Sequence, residues 1–109
     1  MIDRRIERKR YIFLTIMREQ IFFQMDLKNA LWNAILGLYG ENGASRINLR
    51  IIRFDPNARF AILRCPHKVI NQARAAIASI TKINNEDVSL SVTRVSGTIK
   101  SLMKKSLLR

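Results

Sequence analysis

Asn48-Leu49-Arg50-Ile51-Ile52-Arg53-Phe54-Asp55-Pro56-Asn57-Ala58-Arg59-Phe60-Ala61-Ile62-Leu63-Arg64-Cys65 is the stretch that decides the fold. Two runs rich in β-branched and aromatic residues, Ile47 to Phe54 and Phe60 to Cys65, flank Asp55-Pro56-Asn57. Proline is pre-set for the second position of a turn, and Asp and Asn bond the local backbone, so the runs should return on each other as a hairpin. Its tip, Pro56 to Phe60, carries no glycine.

Working outward, Tyr11 to Met17 reads as a strand upstream. Asp26 is a plausible N-cap for a helix in which Leu27, Ala30, Leu31, Ala34, Ile35 and Leu38 recur at helical spacing, with Gly40 and Gly43 ending the run. Downstream, Pro66 stands where a helix would begin, with Val69, Ala73, Ala76, Ile77 and Ile80 as its buried stripe. Asn84-Asn85 makes a turn, and Val88, Leu90 and Val92 alternate with Ser89, Ser91 and Thr93 as a fourth strand. Ser96 or Thr98 caps a last short helix carrying Ile99, Leu102 and Met103 on one side. The order βαββαβ plus a helix predicts an α+β, ferredoxin-like sandwich: a four-stranded antiparallel sheet, two helices on one face and a C-terminal helix. The chain reads as one domain over 1–109, with a basic leader (1–9), a core (10–95) and a basic C-terminal helix (96–109). RNA-recognition modules, small phosphatases and many ribosomal proteins share this order, so fold alone does not choose a function.

Charge narrows the choice. Twenty Lys and Arg stand against eight Asp and Glu, a net +12 on 109 residues. Such self-repulsion calls for an anionic partner, nucleic acid first and an acidic membrane surface second. The apolar run Tyr11 to Met17 is too short to span a bilayer, and the charged start MIDRRIERKR lacks a signal-peptide pattern. A single cysteine, Cys65, fits a reducing, cytoplasmic setting, and a single histidine, His67, excludes a zinc site built on several His and Cys ligands.

Strand parity sorts the sheet faces. Ile12, Leu14, Ile16, Leu49, Ile51, Ala61, Leu63, Val88, Leu90 and Val92 are expected to face the helices. Tyr11, Phe13, Arg50, Ile52, Phe54, Phe60, Ile62, Arg64, Ser89 and Ser91 are expected on the other side, which is too apolar for water. Three covers are open: the last helix through Ile99, Leu102 and Met103; a protein partner; or RNA bases stacked on exposed Tyr11, Phe13 and Phe60. Against the last, Arg59-Phe60-Ala61-Ile62-Leu63-Arg64 lacks the glycines of an RNA-recognition motif. Ile21-Phe22-Phe23 is a second apolar cluster, either satellite core or a protein-binding patch.

No catalytic constellation is legible. Cys65 and His67 have no third orienting group, and the eight acids are scattered through turns, caps and tail. Gly40-Glu41-Asn42-Gly43 is no nucleotide-phosphate loop, and the segment after strand one lacks the Gly-rich Arg loop of small phosphatases. The chain is therefore expected to bind no cofactor or metal. What remains is cation. The candidate RNA-binding set is Arg8, Lys9 and Arg10; Arg50, Arg53, Arg59 and Arg64; and Ser96, Gly97, Thr98, Lys100, Lys104 and Lys105, where a helix start favours phosphate. The candidate partner-interface set is Ile21, Phe22, Phe23, Tyr11, Phe13 and Phe60.

Several blocks, in order, resemble one family. They are Arg10-Tyr11-Ile12, Gly40-Glu41-Asn42-Gly43-Ala44-Ser45 leading into Asn48-Leu49-Arg50, and Phe54-Asp55. Then come Ile62-Leu63-Arg64-Cys65, Ala73-Arg74-Ala75-Ala76-Ile77 and Val95-Ser96-Gly97-Thr98-Ile99-Lys100. From about residue 8 to residue 103 the chain resembles the ribonuclease P protein component 2 family, the small archaeal subunit with eukaryotic counterparts. The resemblance implies a ferredoxin-like, non-catalytic subunit of an endoribonuclease that removes the 5′ leader of precursor tRNA, with catalysis by RNA and its Mg²⁺. It further implies binding to the catalytic half of that RNA and pairing with ribonuclease P protein component 3, a barrel-shaped subunit. Contact with other protein subunits, self-association into a larger assembly and indirect contact with precursor tRNA follow from it too. The missing hairpin glycine and the Ile21-Phe22-Phe23 segment depart from the family's pattern. A ribosomal or RNA-recognition-type protein, binding through an aromatic sheet face, is the alternative.

Overall fold

The computed structural model describes the backbone of residues 8–18 and 22–107 and the side chains of residues 8–17 and 22–103. The basic leader before Arg8, Ile21, and the side chains of Lys104 and Lys105 lie outside the described residues.

The hairpin forms as its residues predict. Strand β2 (Arg50–Asp55) pairs antiparallel with β3 (Phe60–Pro66), from Arg50 opposite Arg64 to Asp55 opposite Phe60. Asp55 closes the loop by accepting the Ala58 N–H on Oδ1 at 2.9 Å. Arg59 takes the left-handed position at φ 62° that a glycine would fill more easily. Strand β1 (Lys9–Arg18) lies between β3 and the long β5 (Glu86–Ser96). The expected four strands gain a fifth, β4 (Lys82–Ile83), which pairs with Glu86 and Asp87. Asn84 and Asn85 both hold positive φ, 56° and 66°, the requirement of a tight two-residue hairpin turn, and that turn brings the extra strand into register. The sheet is antiparallel, in the order β2-β3-β1-β5-β4.

The first helix differs from its expected limits at both ends. Helix α1 runs Gln24–Ile47 and is capped at Phe23; Asp26 is its third residue and accepts the Phe23 N–H at 2.8 Å. The run does not end at Gly40 and Gly43. Gly40 kinks the chain at φ 73°, ψ −177°, helix resumes, and left-handed Asn48 closes it by donating to the Ala44 carbonyl at 3.0 Å. Ile47, expected to open a strand, is instead a buried helical residue. Pro66 ends β3, a single 3-10 turn covers His67–Val69, and α2 (Ile70–Ala78) follows. Ser96 is the last residue of β5, so the C-terminal unit starts later than residue 96, with α3 at Ile99–Leu107.

Helices α1 and α2 pack on each other and on one face of the sheet. Their core joins Ile12, Leu14 and Ile16 of β1, Ala61, Leu63 and Cys65 of β3, Leu27, Leu31, Ile35, Ala44 and Ile47 of α1, and Ala73, Ala76 and Ile77 of α2. Burying these apolar side chains is the main stabilising term. Helix α3 packs against β1 and β5. Its Leu102, like Ile62 of β3, is fully buried yet outside that core cluster, which marks a thin apolar layer on the second face. The last helix is thus a cover of that face, the first of the three covers considered above, through buried Leu102 and half-buried Met103, whereas Ile99, also expected to lie against the sheet, is exposed.

Two bulges set what this face carries. On β2, Ile51 opposes Leu63 and Arg53 opposes Ile62, leaving Ile52 as an extra residue. On β5, Phe13 opposes Arg94 and Leu14 opposes Val92, leaving Thr93 extra. A bulge shifts the alternation by one residue beyond it. Phe54, expected on the second face, therefore packs against the core, where its ring lies 5.8 Å from that of Phe22. Thr93 donates to the Phe13 carbonyl at 3.2 Å and sits 3.3 Å from the Thr15 hydroxyl, which pins the second bulge.

Candidate nucleic-acid interface

The register assembles cations that are far apart in sequence. Arg50, Arg64, Tyr11 and Ser96 stand side by side across β2, β3, β1 and β5. Two residues along, Arg53, Ile62, Phe13 and Arg94 form a parallel row. At ordinary sheet spacing each row is about 14 Å wide and the rows lie about 7 Å apart. Arg50 and Arg53 are exposed, and Arg64 and Arg94 are half-buried.

Nothing within the described residues neutralises these guanidiniums. The ion pair found there, Lys82 Nζ to Asp87 Oδ1 at 2.7 Å, is on the β4–β5 hairpin. It holds the Asp87 carboxyl below its ordinary range and the Lys82 ammonium above it, through their mutual hydrogen bond and then their charges. Arg53 lies 6.0 Å from the Phe60 ring centroid, within reach of a cation–π contact. Like charges directly opposite each other, as Arg50 and Arg64 are, destabilise a sheet. Unscreened arginines on adjacent strands are what a run of phosphates would neutralise.

The remaining candidates fall around these rows. Arg10 Nη1 bonds the Lys9 carbonyl at 3.3 Å and lies 3.4 Å from where a Cβ on Gly97 would sit. The Ser96-Gly97-Thr98 turn thus joins the Arg50–Ser96 row. Its anion-binding capacity is smaller than the sequence suggests. The Thr98 hydroxyl caps α3 by accepting the Ser101 N–H at 3.1 Å, and the Thr98 N–H donates to the Ser96 hydroxyl at 3.4 Å. Of the four first-turn donors, those of Ile99 and Lys100 remain for an anion. Lys100 is exposed, and so is Arg8, whose carbonyl accepts the His67 N–H at 2.8 Å. Lys9 opposes Pro66 at the head of β1. Arg59 stands apart: its carbonyl accepts the Ile16 N–H, placing it at the other end of the sheet.

The aromatic candidates do not form a platform for bases. Tyr11, Phe13 and Phe60 are half-buried rather than exposed, and the rings of Phe13 and Phe60 stack on each other at 4.9 Å and 18°. Phe22 is buried against Phe54 and offers no surface to a partner, whereas Phe23 is exposed. Cys65 is buried, and desolvation pushes its thiol up to about 11 despite the nearby Lys9 charge, so it is a poor nucleophile. Among the described residues no three His, Cys, Asp or Glu side chains gather to hold a metal ion, and no helix is long and apolar enough to cross a membrane.

Residues 10–107, nearly the whole sheet, all three helices and every described arginine of the two rows, match the profile of the Rpp14/Pop5 family. The chain belongs to that family. Among similar proteins, ribonuclease P protein component 2 of Methanobrevibacter smithii is 35% identical over 102 residues, covering 87% of this chain and 85% of that protein. The protein of the same name from Pyrococcus horikoshii is 31% identical over 101 residues, 93% of this chain and 84% of that one. A chain in the cryo-EM structure of yeast ribonuclease MRP superposes with a TM-score of 0.71 at 16% identity, over 97% of this chain and 96% of its own length; the two share a fold. The resemblance carried by the blocks from Arg10-Tyr11-Ile12 to Ser96-Gly97-Thr98 is borne out. In this Rpp14/Pop5 chain the arginine rows include one cation that strand alternation alone does not pick out. Arg94 reaches the arginine face because Thr93 bulges, and the signal available was the break in the Ser89-Ser91-Thr93 alternation.

Proposed function

We propose that this chain is a protein component of ribonuclease P that binds and stabilises the catalytic RNA removing the 5′ leader of precursor tRNA. The observation that carries the reading is the pair of arginine rows, unmatched by carboxylates among the described residues, on a +12 chain of the Rpp14/Pop5 family. In this reading the guanidiniums screen phosphate repulsion, so the folded RNA needs less Mg²⁺. Chemistry resides in the RNA and its metal, and the chain binds no cofactor itself. The strand order β2-β3-β1-β5, with α1 and α2 on one face, supports assignment to the ferredoxin-like class. The partners are the catalytic RNA, ribonuclease P protein component 3 and further subunits. Precursor tRNA is contacted indirectly, and a homodimer forms within a heterotetramer in the cytoplasm.

The test is reconstitution. Catalytic RNA is assayed for precursor-tRNA cleavage across Mg²⁺ concentrations, with and without this chain and its barrel-shaped partner. The Mg²⁺ midpoint should fall when the proteins are present. If about five phosphates are contacted, log affinity for the RNA should fall against log salt with a slope of roughly −3.5 to −4.5. A slope near zero, with an unmoved Mg²⁺ midpoint, would overturn the proposal.

A further inference from the structure

Beside the first arginine row lies a groove of about 630 Å³, between α1 and the head of β2. This is within the size range of pockets for ligands as large as a nucleotide, about 300–1,000 Å³. Trp32 lines it and is 50% exposed, although it neighbours the buried Leu31 in the same helix. A tryptophan turned away from the core leaves a large flat apolar ring on the surface. The rest of the lining explains what that ring suits. Lys28 and Arg50 are the charged residues of the groove, and no Asp or Glu lines it. Asn29 and Asn48 add amides that both donate and accept. Asn48 is held in place as the left-handed cap of α1. Arg50 belongs to both structures, since it heads the row running to Arg64 and also walls the groove.

We infer that this groove receives an unpaired base of the bound RNA, stacked on Trp32, while Arg50 holds a phosphate at its mouth. The inference rests on the RNA-binding function proposed above and adds to it a site that reads single-stranded character. A flat π-surface, hydrogen-bonding amides and cations without acids are the chemistry that recognises a splayed-out nucleotide. Duplex RNA keeps its bases stacked inside and can engage only the arginine rows. Leu31, Ile35, Ala44, Leu49 and Ile51 line the groove as well, but its charged side chains are cations only, and it is the acidic RNA backbone that matches that charge.

Trp32 is the chain's single tryptophan, so its fluorescence reports on this site alone. The full chain is titrated with hexauridylate, with hexaadenylate and with a duplex RNA, and affinities are measured in parallel for W32A, W32F and R64T. The single strands should quench the indole and the duplex should not. W32A should weaken single-strand binding about 5- to 150-fold, the span expected for loss of one base–aromatic stack, while W32F retains most of it. R64T should weaken single strand and duplex alike. Salt-dependent RNA binding with unchanged fluorescence and full affinity in W32A would overturn the stacked base and leave the arginine face standing. Failure of the wild-type chain to bind any RNA at low salt would overturn both. If W32A instead disrupts association with a protein subunit and leaves RNA affinity intact, the groove is a protein surface and the inference is wrong.

Discussion

Gly40 holds φ at 73° with ψ at −177°, a conformation nearly closed to residues bearing a Cβ. No atom lies within 4 Å of where that Cβ would stand, so G40A should destabilise through backbone strain alone, by about 1–3 kcal/mol in denaturant titration. Cys65 makes a different prediction. Its thiol pKa near 11, against an ordinary 9.0, leaves about one-hundredth of the usual thiolate at pH 8. Alkylation of the native chain should be slower than that of the unfolded chain by at least that factor. Because the folded pKa is the raised one, its stabilising contribution is complete below pH 9 and drains away as pH rises to 11. Arg64 faces Arg50 across the hairpin with no acid in reach among the described residues. R64T should therefore raise stability by about 0.2–1 kcal/mol while weakening RNA binding, a divergence that melting and filter binding read separately.

At the scale of elements, most of the architecture was legible because burial on one face imposes a period on the sequence. Ile12-Leu14-Ile16 and Ala61-Leu63-Cys65 alternate, and each alternating residue is in the core. What escaped was decided elsewhere. Gly40 followed by helix looks, in sequence, like Gly40 ending a helix; Ile47 was buried by the segment that resumes after it. The bulges at Ile52 and Thr93 form through pairing with β3 and β1, and locally only the polar pair Thr93-Arg94 marks one of them, so alternation alone puts Phe54 on the wrong face and passes over Arg94. The candidate site divides in the same way: which residues are cationic is plain, whereas their arrangement in rows is a property of register. Helix α3 adds an element-level prediction. Leu102 is fully buried on the second face, so L102A should cost about 2–5 kcal/mol and speed amide exchange in α3 before the rest of the chain.

Over the whole molecule, the two sheet faces do different work. One is closed by α1 and α2 and supplies stability; the other is thinly covered by α3 and carries arginines with no carboxylate partner among the described residues. Stability and RNA affinity should thus separate in mutants, with core changes lowering both and arginine changes lowering affinity alone. The margins of the sheet have a consequence of their own. β2 is an outer strand, and beyond Asp87 most of β5 has no strand on its far side among the described residues, because β4 spans two residues. Exposed strand margins are templates for stray pairing between copies. Here each margin is bent by a bulge and bears arginines, Arg50 and Arg53 on β2 and Arg94 on β5. A flat ribbon from a second molecule finds neither a straight edge nor a neutral one. Before any RNA is present, when the newly made chain is most exposed to its own kind, the residues suited to phosphate guard it against growing into fibres.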